Sequence, residues 1–348
     1  MASFRHRLAW KHPSLSPESS AQPPGRLNLP FTGIVTFLRA PVCTDLSQLD
    51  ADVAILGIPT DEGTPWLPGS RMAPRAIREM SVRFASFGAD GYAWYDRDED
   101  RRYLDYESEH QRIVDCGDVD VIFTNVEQTF RNATEAVRAI LNARAMPVSI
   151  GGDHAIAYPV VRAYSESIDV VHFDAHMDYL PFLHGVAFSN SHPIRLISEL
   201  PHVGRIIQVG IRSLRNHQSD IADSLARGND VVTVKQLRQR GIDAVLNQLG
   251  VGRKVYVSID IDVLDMPLVP GCQSAEVGGL SYEELKDALT HLARHHEVVG
   301  FDLVEVNPML DVPSGNTSLL AAQLVLEFLG RIVDNPAWQA RHRGADPT

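Results

Sequence analysis

Eight short apolar runs, rich in Val and Ile and separated by amphipathic stretches, restrict this chain to very few folds. They lie at 52–58, 113–116, 146–150, 168–173, 205–209, 230–232, 254–259 and 298–303. Between and after them come helix-compatible segments at 74–87, 126–145, 159–167, 234–248, 281–294 and 318–333. A strand with one wet face alternates polar and apolar residues, whereas a near-continuous apolar strand is buried on both faces. Such strands alternating with helices predict an α/β chain built on a parallel sheet that is covered on its two sides. Two helices carry start signals, Ser281 ahead of YEEL and Asn316-Thr317-Ser318 ahead of LLAAQ. No internal repeat or second core is visible, so 29–335 reads as one domain. Residues 1–28, with many Pro, Ser and Gln, read as a flexible arm, 336–348 as a frayed tail, and the charged stretch 88–112 as a solvated connection.

Ligand-type residues collect where three of these strands run out. FDAHMD (173–178) follows one apolar run, SIDID (258–262) closes another, and GGDH (151–154) follows a third. Side chains two apart in a strand share a face, so Asp174, His176 and Asp178 are expected to converge, as are Asp260 and Asp262. Buried carboxylates without partners are very costly. Divalent cations remove that cost, and with His154 the chain offers two histidines and four aspartates, a set suited to two borderline-to-hard ions. A lone DxD is more often a turn cap; three such segments together are not. Ligands of parallel sheets bind beyond the carboxyl ends of the strands, which is where these residues fall.

Composition narrows the partners. The 348-residue chain is 44% hydrophobic and 22% charged, which supports a sizeable core, and its net charge of −12 argues against nucleic acid. No apolar stretch approaches the ~20 residues that span a bilayer, and residues 1–26 contain no apolar signal-peptide core. Three cysteines without CxxC spacing suggest a reducing compartment, so a cytoplasmic protein is expected.

GGDH, FDAHMD, SIDID and EVNP (305–308), in this order, resemble the ureohydrolase superfamily, the group of arginase, agmatinase and guanidinobutyrase. The stretch GTPWLPGSRMAPRAIR (63–78) is similar to the family's RPGARxGPxAIR segment. The resemblance covers roughly 52–333 and implies a three-layer α/β/α domain around an eight-stranded parallel sheet, assembled as trimers or hexamers. It implies two divalent metal ions, manganese or nickel. His154 and Asp178 would complete one, His176 and Asp262 the other, with Asp174 and Asp260 bridging. Two adjacent cations can share a water and bring its pKa near ~7, giving a nucleophile for the resonance-stabilised guanidinium carbon. Asp178 is the expected proton carrier and Glu305 the expected guanidinium-binding carboxylate. Asp153 and His172 are expected to orient ligands. A loop histidine would exchange the proton with solvent: His192, in Asn190-Ser191-His192, or His184, which precedes Gly185.

Departures from the family pattern bear on the substrate. Met177 replaces the threonine of HTD, and PGCQSAEVGG (270–279) stands where agmatinase-like members carry PGTGTPExGG. Trp66 would close the pocket or stack on a planar cation. These residues favour a small or alkylated guanidine, or a biguanide such as metformin, over conventional agmatinase or guanidinobutyrase activity. Some relatives of that branch work beside a homologous subunit. A non-catalytic paralogue would be expected to have lost ligands, and all six are present here.

Overall fold

The computed structural model describes residues 29–85, 94–182 and 184–343. All eight expected strands form: β1 (Val53–Ile58), β2 (Ile113–Asp118), β3 (Met146–Gly151), β4 (Ile168–Phe173), β5 (Val203–Ile211), β6 (Asp230–Thr233), β7 (Lys254–Asp260) and β8 (Glu297–Val304). They make one eight-stranded sheet in the order β2-β1-β3-β8-β7-β4-β5-β6, with every neighbouring pair parallel. Alternate side chains of one strand feed different cores. Val53 and Ile55 of β1 pack with the helices Ala73–Ser81 and Asn316–Val333. Ala54, Leu56 and Ile58 pack on the other face with Val126–Asn142 and Ala157–Val161. Burying a Val or Ile side chain contributes roughly 1.5–3 kcal/mol, so the doubly buried strands anchor the three layers. No helix among the described residues is long and apolar enough to cross a membrane.

Several local expectations need correction. Ser281 does open its helix through a capping box with Glu284, but Asn316-Thr317-Ser318 does not cap its own helix. The carboxylate of Asp311, from the preceding loop, accepts the N–H groups of Thr317 and Ser318 at 3.2 and 3.1 Å, and its charge suits a helix N-terminus. The segment 234–248 is two helices, Val234–Arg240 and Ile242–Leu246, broken at Gly241 with φ 84°. The stretch 88–112, expected to be solvated, contains a hairpin (Trp94–Asp96 with Arg101–Tyr103) and the helix Asp105–Glu109. Tyr103 is buried against Gly330, where a Cβ would fall 2.1 Å from its ring. The expected tail begins as the helix Pro336–His342, with Trp338 buried and Arg343 bonded to the buried Glu107 at 2.6 Å. The arm at 1–28 and residues 344–348 lie outside the described residues.

The centre of the sheet positions the site. β3, β8, β7 and β4 are consecutive neighbours, and at or just past their carboxyl ends stand GGDH, Glu305, Asp260 and Asp174. The chain passes from β3 to β4 across two strands that it supplies only later, which opens the crevice expected at such a switch point.

Candidate metal centre and substrate cavity

Tight turns, not strand alternation, bring the acidic residues together. β4 ends at Phe173, so Asp174, His176 and Asp178 lie beyond the pleat. Asp174 Oδ1 accepts the backbone N–H of His176, and the chain turns through a left-handed residue at Asp178, φ 48°. Asp260, the last residue of β7, accepts the N–H of Asp262 at 2.9 Å and starts the turn Ile261–Val263. The GGDH turn passes so close to Thr60 that a Cβ on Gly152 would lie 1.7 Å from its carbonyl oxygen. Glu305 also sits in the left-handed region, φ 65°. That conformation costs a non-glycine residue about 1–2 kcal/mol, so packing holds two strained residues at one crevice.

The six expected ligands converge in two overlapping groups. Nδ1 of His154 stands 3.1 Å from Asp174 Oδ2, 3.0 Å from Asp178 Oδ2 and 3.2 Å from Asp260 Oδ2. Nδ1 of His176 stands 3.2 Å from Asp174 Oδ1 and 3.0 Å from Asp262 Oδ2. Asp174 therefore presents one oxygen to each group. Asp260 faces His154 and also falls in a group with Asp262 and Cys272 whose ligand atoms lie within 4.8 Å of one another.

This donor set fits cations. Ser258 Oγ donates to the buried Asp302 at 2.8 Å, so it can only accept from His154 Nε2, 2.9 Å away. With its proton on Nε2, His154 turns the lone pair of Nδ1 toward three carboxylate oxygens. Such a meeting of acceptors needs a shared positive charge, either a metal ion or another proton. Asp262 Oδ2 is likewise buried, with His176 Nδ1 facing it at 3.0 Å. His172 steadies the group from behind: Gln208 Nε2 faces its Nδ1 at 3.3 Å, leaving Nε2–H for Asp174 Oδ2 at 2.9 Å. Ser258→Ala is therefore expected to weaken metal binding about 10–100-fold, as loss of an outer partner does; metal titration of the purified variant checks it.

Without cations the crevice holds protons instead. Burial and the neighbouring Asp174 push the Asp178 carboxyl up to about 7, and burial with Asp262 raises Asp260. Burial opposes charge on His154 and His176, yet the facing aspartates hold His154 well above the imidazole range and push His176 up to about 12. A carboxyl that binds its proton more tightly when folded loses stability as pH rises, here from its ordinary value near 3.8 to about 7. The stabilisation from raised imidazoles is also lost on the alkaline side. Both contributions have one sign, and cations replace the protons. The rise in Tm on adding divalent metal should therefore be larger at about pH 8 than at about pH 5.5; thermal melts of chelator-treated protein test this.

Beside these groups opens a cavity of about 190 Å³. Glu305, buried at its inner end, has its carboxyl raised by burial. Its Oε1 accepts the His154 backbone N–H at 3.0 Å and the Asn190 amide at 3.2 Å, and its Oε2 the Gln273 amide at 2.9 Å. Asp153 accepts from Gly63 and Ala155, tying the GGDH turn to the loop that carries Trp66, whose ring is largely exposed on the rim. Arg215 joins Glu276 at 3.0 Å and reaches His176 Nε2 at 2.8 Å.

Neither expected loop histidine is on the cavity wall. His192 is buried, with Nδ1 2.7 Å from Ser189 Oγ, Nε2 3.4 Å from the Pro181 carbonyl and its ring stacked on Phe182. Its turn sends Asn190 and Ser191 to the cavity while His192 precedes the helix Pro193–Ser198. His184 is exposed and also off the wall. The wall histidine besides His176 is His217, at the N-cap of the helix Gln218–Ala226. Nothing in its sequence context marked it, nor Arg215. Ser258 and Asp302 did carry a signal, as polar residues inside otherwise apolar strands.

Comparison with known proteins agrees with this architecture. The arginase family model matches residues 51–330. The chain is 32% identical over 323 residues to a mitochondrial guanidino acid hydrolase of Homo sapiens, covering 90% of this chain and 85% of that protein. It is 34% identical over 284 residues to an agmatinase of Bacillus anthracis, covering 80% and 91%. A proclavaminate amidino hydrolase from Streptomyces clavuligerus superposes with a TM-score of 0.74 at 30% identity, covering 87% of this chain and 98% of that one. Fold and relatives together define a hydrolase of amidine-type C–N bonds. The chain belongs to the arginase family.

Proposed function

We propose that the chain hydrolyses a compact or alkylated guanidine, or a biguanide such as metformin, releasing urea or a urea derivative and an amine. One observation carries the chemistry: the His154 Nδ1 lone pair and three carboxylates meet beside a buried, solvent-shielded Glu305. His154, Asp174, Asp178 and Asp260 would hold one divalent cation, and His176, Asp262 and Asp174, joined by Asp260, the other. When bound, such a pair supplies a water that ionises near neutral pH. Glu305 binds the planar N–H edge of the guanidinium and fixes the central carbon toward the crevice. Water adds to that carbon, and the C–N bond breaks as the departing nitrogen is protonated. Asp178, whose Oδ2 lies 3.0 Å from His154 Nδ1 in the crevice, takes up the water's proton and passes it to the leaving amine. His217 on the wall exchanges protons with solvent, the role that the family resemblance gives to a loop histidine.

The Trp66 ring on the cavity rim, a face on which a planar cation can stack, supports a compact substrate. Arg215 and the buried Asp220 on the same wall favour a second reading, a straight-chain guanidino acid or amine whose far end they would pair with; guanidino acid hydrolase and agmatinase relatives agree with it. A urea-release screen over guanidine, metformin, agmatine, guanidinobutyrate and arginine decides. Faster turnover of guanidine or metformin supports the first reading, and of the straight-chain compounds the second. Silence on all of them sinks both. Chelator-stripped protein should recover with manganese or nickel, not magnesium alone. Three free cysteines suit a reducing cytoplasm.

A further inference from the structure

Gln273 makes two bonds through one end of its amide and none through the other. Nε2 donates to Glu305 Oε2 at 2.9 Å and to Thr64 Oγ1 at 3.3 Å. Glu305 Oε2 belongs to a carboxylate and cannot donate when ionised, so the amide nitrogen must face it and the amide oxygen must face away. That oxygen, Oε1, is buried and has no donor among the described residues. Gln273 lines the cavity together with Glu305. A buried acceptor left without a donor is costly, and in a native structure it asks for an explanation.

A guanidinium ion supplies one. It is a flat cation with N–H groups pointing outward along its whole edge, so a carboxylate can take one set and a neighbouring acceptor the next. We propose that Gln273 is a specificity-determining residue, whose Oε1 accepts an N–H of the guanidinium that Glu305 holds. This rests on the reading that the chain binds guanidino compounds. Gln273 then couples the two acceptors: its Nε2 steadies Glu305 while its Oε1 reads the adjacent N–H. Alkylation confined to one nitrogen leaves two NH2 groups, enough for Glu305 and Gln273 together, whereas a head group substituted on a second nitrogen loses the donor this oxygen needs, and the site discriminates against it. Asn190 offers the contrast. It donates to Glu305 at 3.2 Å, but its Oδ1 already accepts from Ser191 Oγ at 3.2 Å.

The test uses full-length metal-loaded protein and the compound that releases urea fastest. Guanidine, methylguanidine, 1,1-dimethylguanidine and 1,1,3-trimethylguanidine, which shed N–H donors stepwise, are compared on wild type, Gln273→Met and Asn190→Leu, each by its KM where it is hydrolysed and by its inhibition constant where it is not. In the wild type that constant should climb most steeply at 1,1,3-trimethylguanidine, the one member of the series substituted on a second nitrogen. Gln273→Met should flatten that climb by on the order of 10-fold, because the residue-to-donor bond is gone. Asn190→Leu should weaken all four compounds alike. Parallel series in wild type and Gln273→Met, with urea still released, would overturn the role of Gln273 alone. Absence of urea from the wild type with every guanidino compound removes the functional reading, and this assignment with it.

Discussion

Asp174→Asn should leave a folded protein that retains less than one divalent ion per chain and releases urea at least on the order of 10³-fold more slowly than wild type. The amide keeps the shape and an oxygen for the turn at His176, so β4 and its neighbours are undisturbed. It loses the charge that faces both groups of ligands, 3.1 Å from His154 and 3.2 Å from His176. No other aspartate stands between the two imidazoles in this way. Elemental analysis of the purified variant, alongside circular dichroism, measures the effect. Two ions per chain with normal turnover would show that Asp174 is not the ligand the two ions share.

Glu305→Gln should behave in the opposite manner, keeping its metal and losing its substrate. Its side chain touches the ligand set only through the backbone N–H of His154, and a glutamine oxygen can still accept that bond. What disappears is the negative charge opposite a cation. Charge-assisted hydrogen bonds contribute roughly 1.5–3 kcal/mol each, so two of them predict a fall in kcat/KM of about 10²–10⁴-fold. The variant also places two amide donors, Gln273 and Asn190, against a third amide. Unchanged kcat/KM with unchanged metal content would remove Glu305 from substrate binding.

The sheet was legible in the sequence because strands buried on both faces announce themselves by unbroken apolar character, and their ends marked the crevice. What lay past those ends was not. Asp174 to Asp178 converge through turns that the period of a strand does not describe, and the side-chain oxygens that make the turns are those of candidate ligands. The stretch around Asp96 read as solvated because its polar residues are numerous. Their partners, Lys286 at 3.1 Å among them, come from nearly two hundred residues further on and cannot be seen locally. The neighbours of His192 in the chain point to it, while the fold gives the cavity to Asn190, two positions earlier. Ser258 and Asp302 were visible as polar interruptions, but only the register that pairs them across β7 and β8 shows what they do for His154.

The single bond from the His154 main chain to Glu305 fixes how far the head-group clamp stands from the reactive crevice. Under the proposed function, a side chain that grips the cation cannot drift without dragging the His154 backbone with it. Changes of substrate in this chain are therefore expected from the rim around Trp66, Arg215 and Asp220. Point changes there should alter the chain length and terminal charge of the molecule accepted, while the chemistry at the carbon stays as it was.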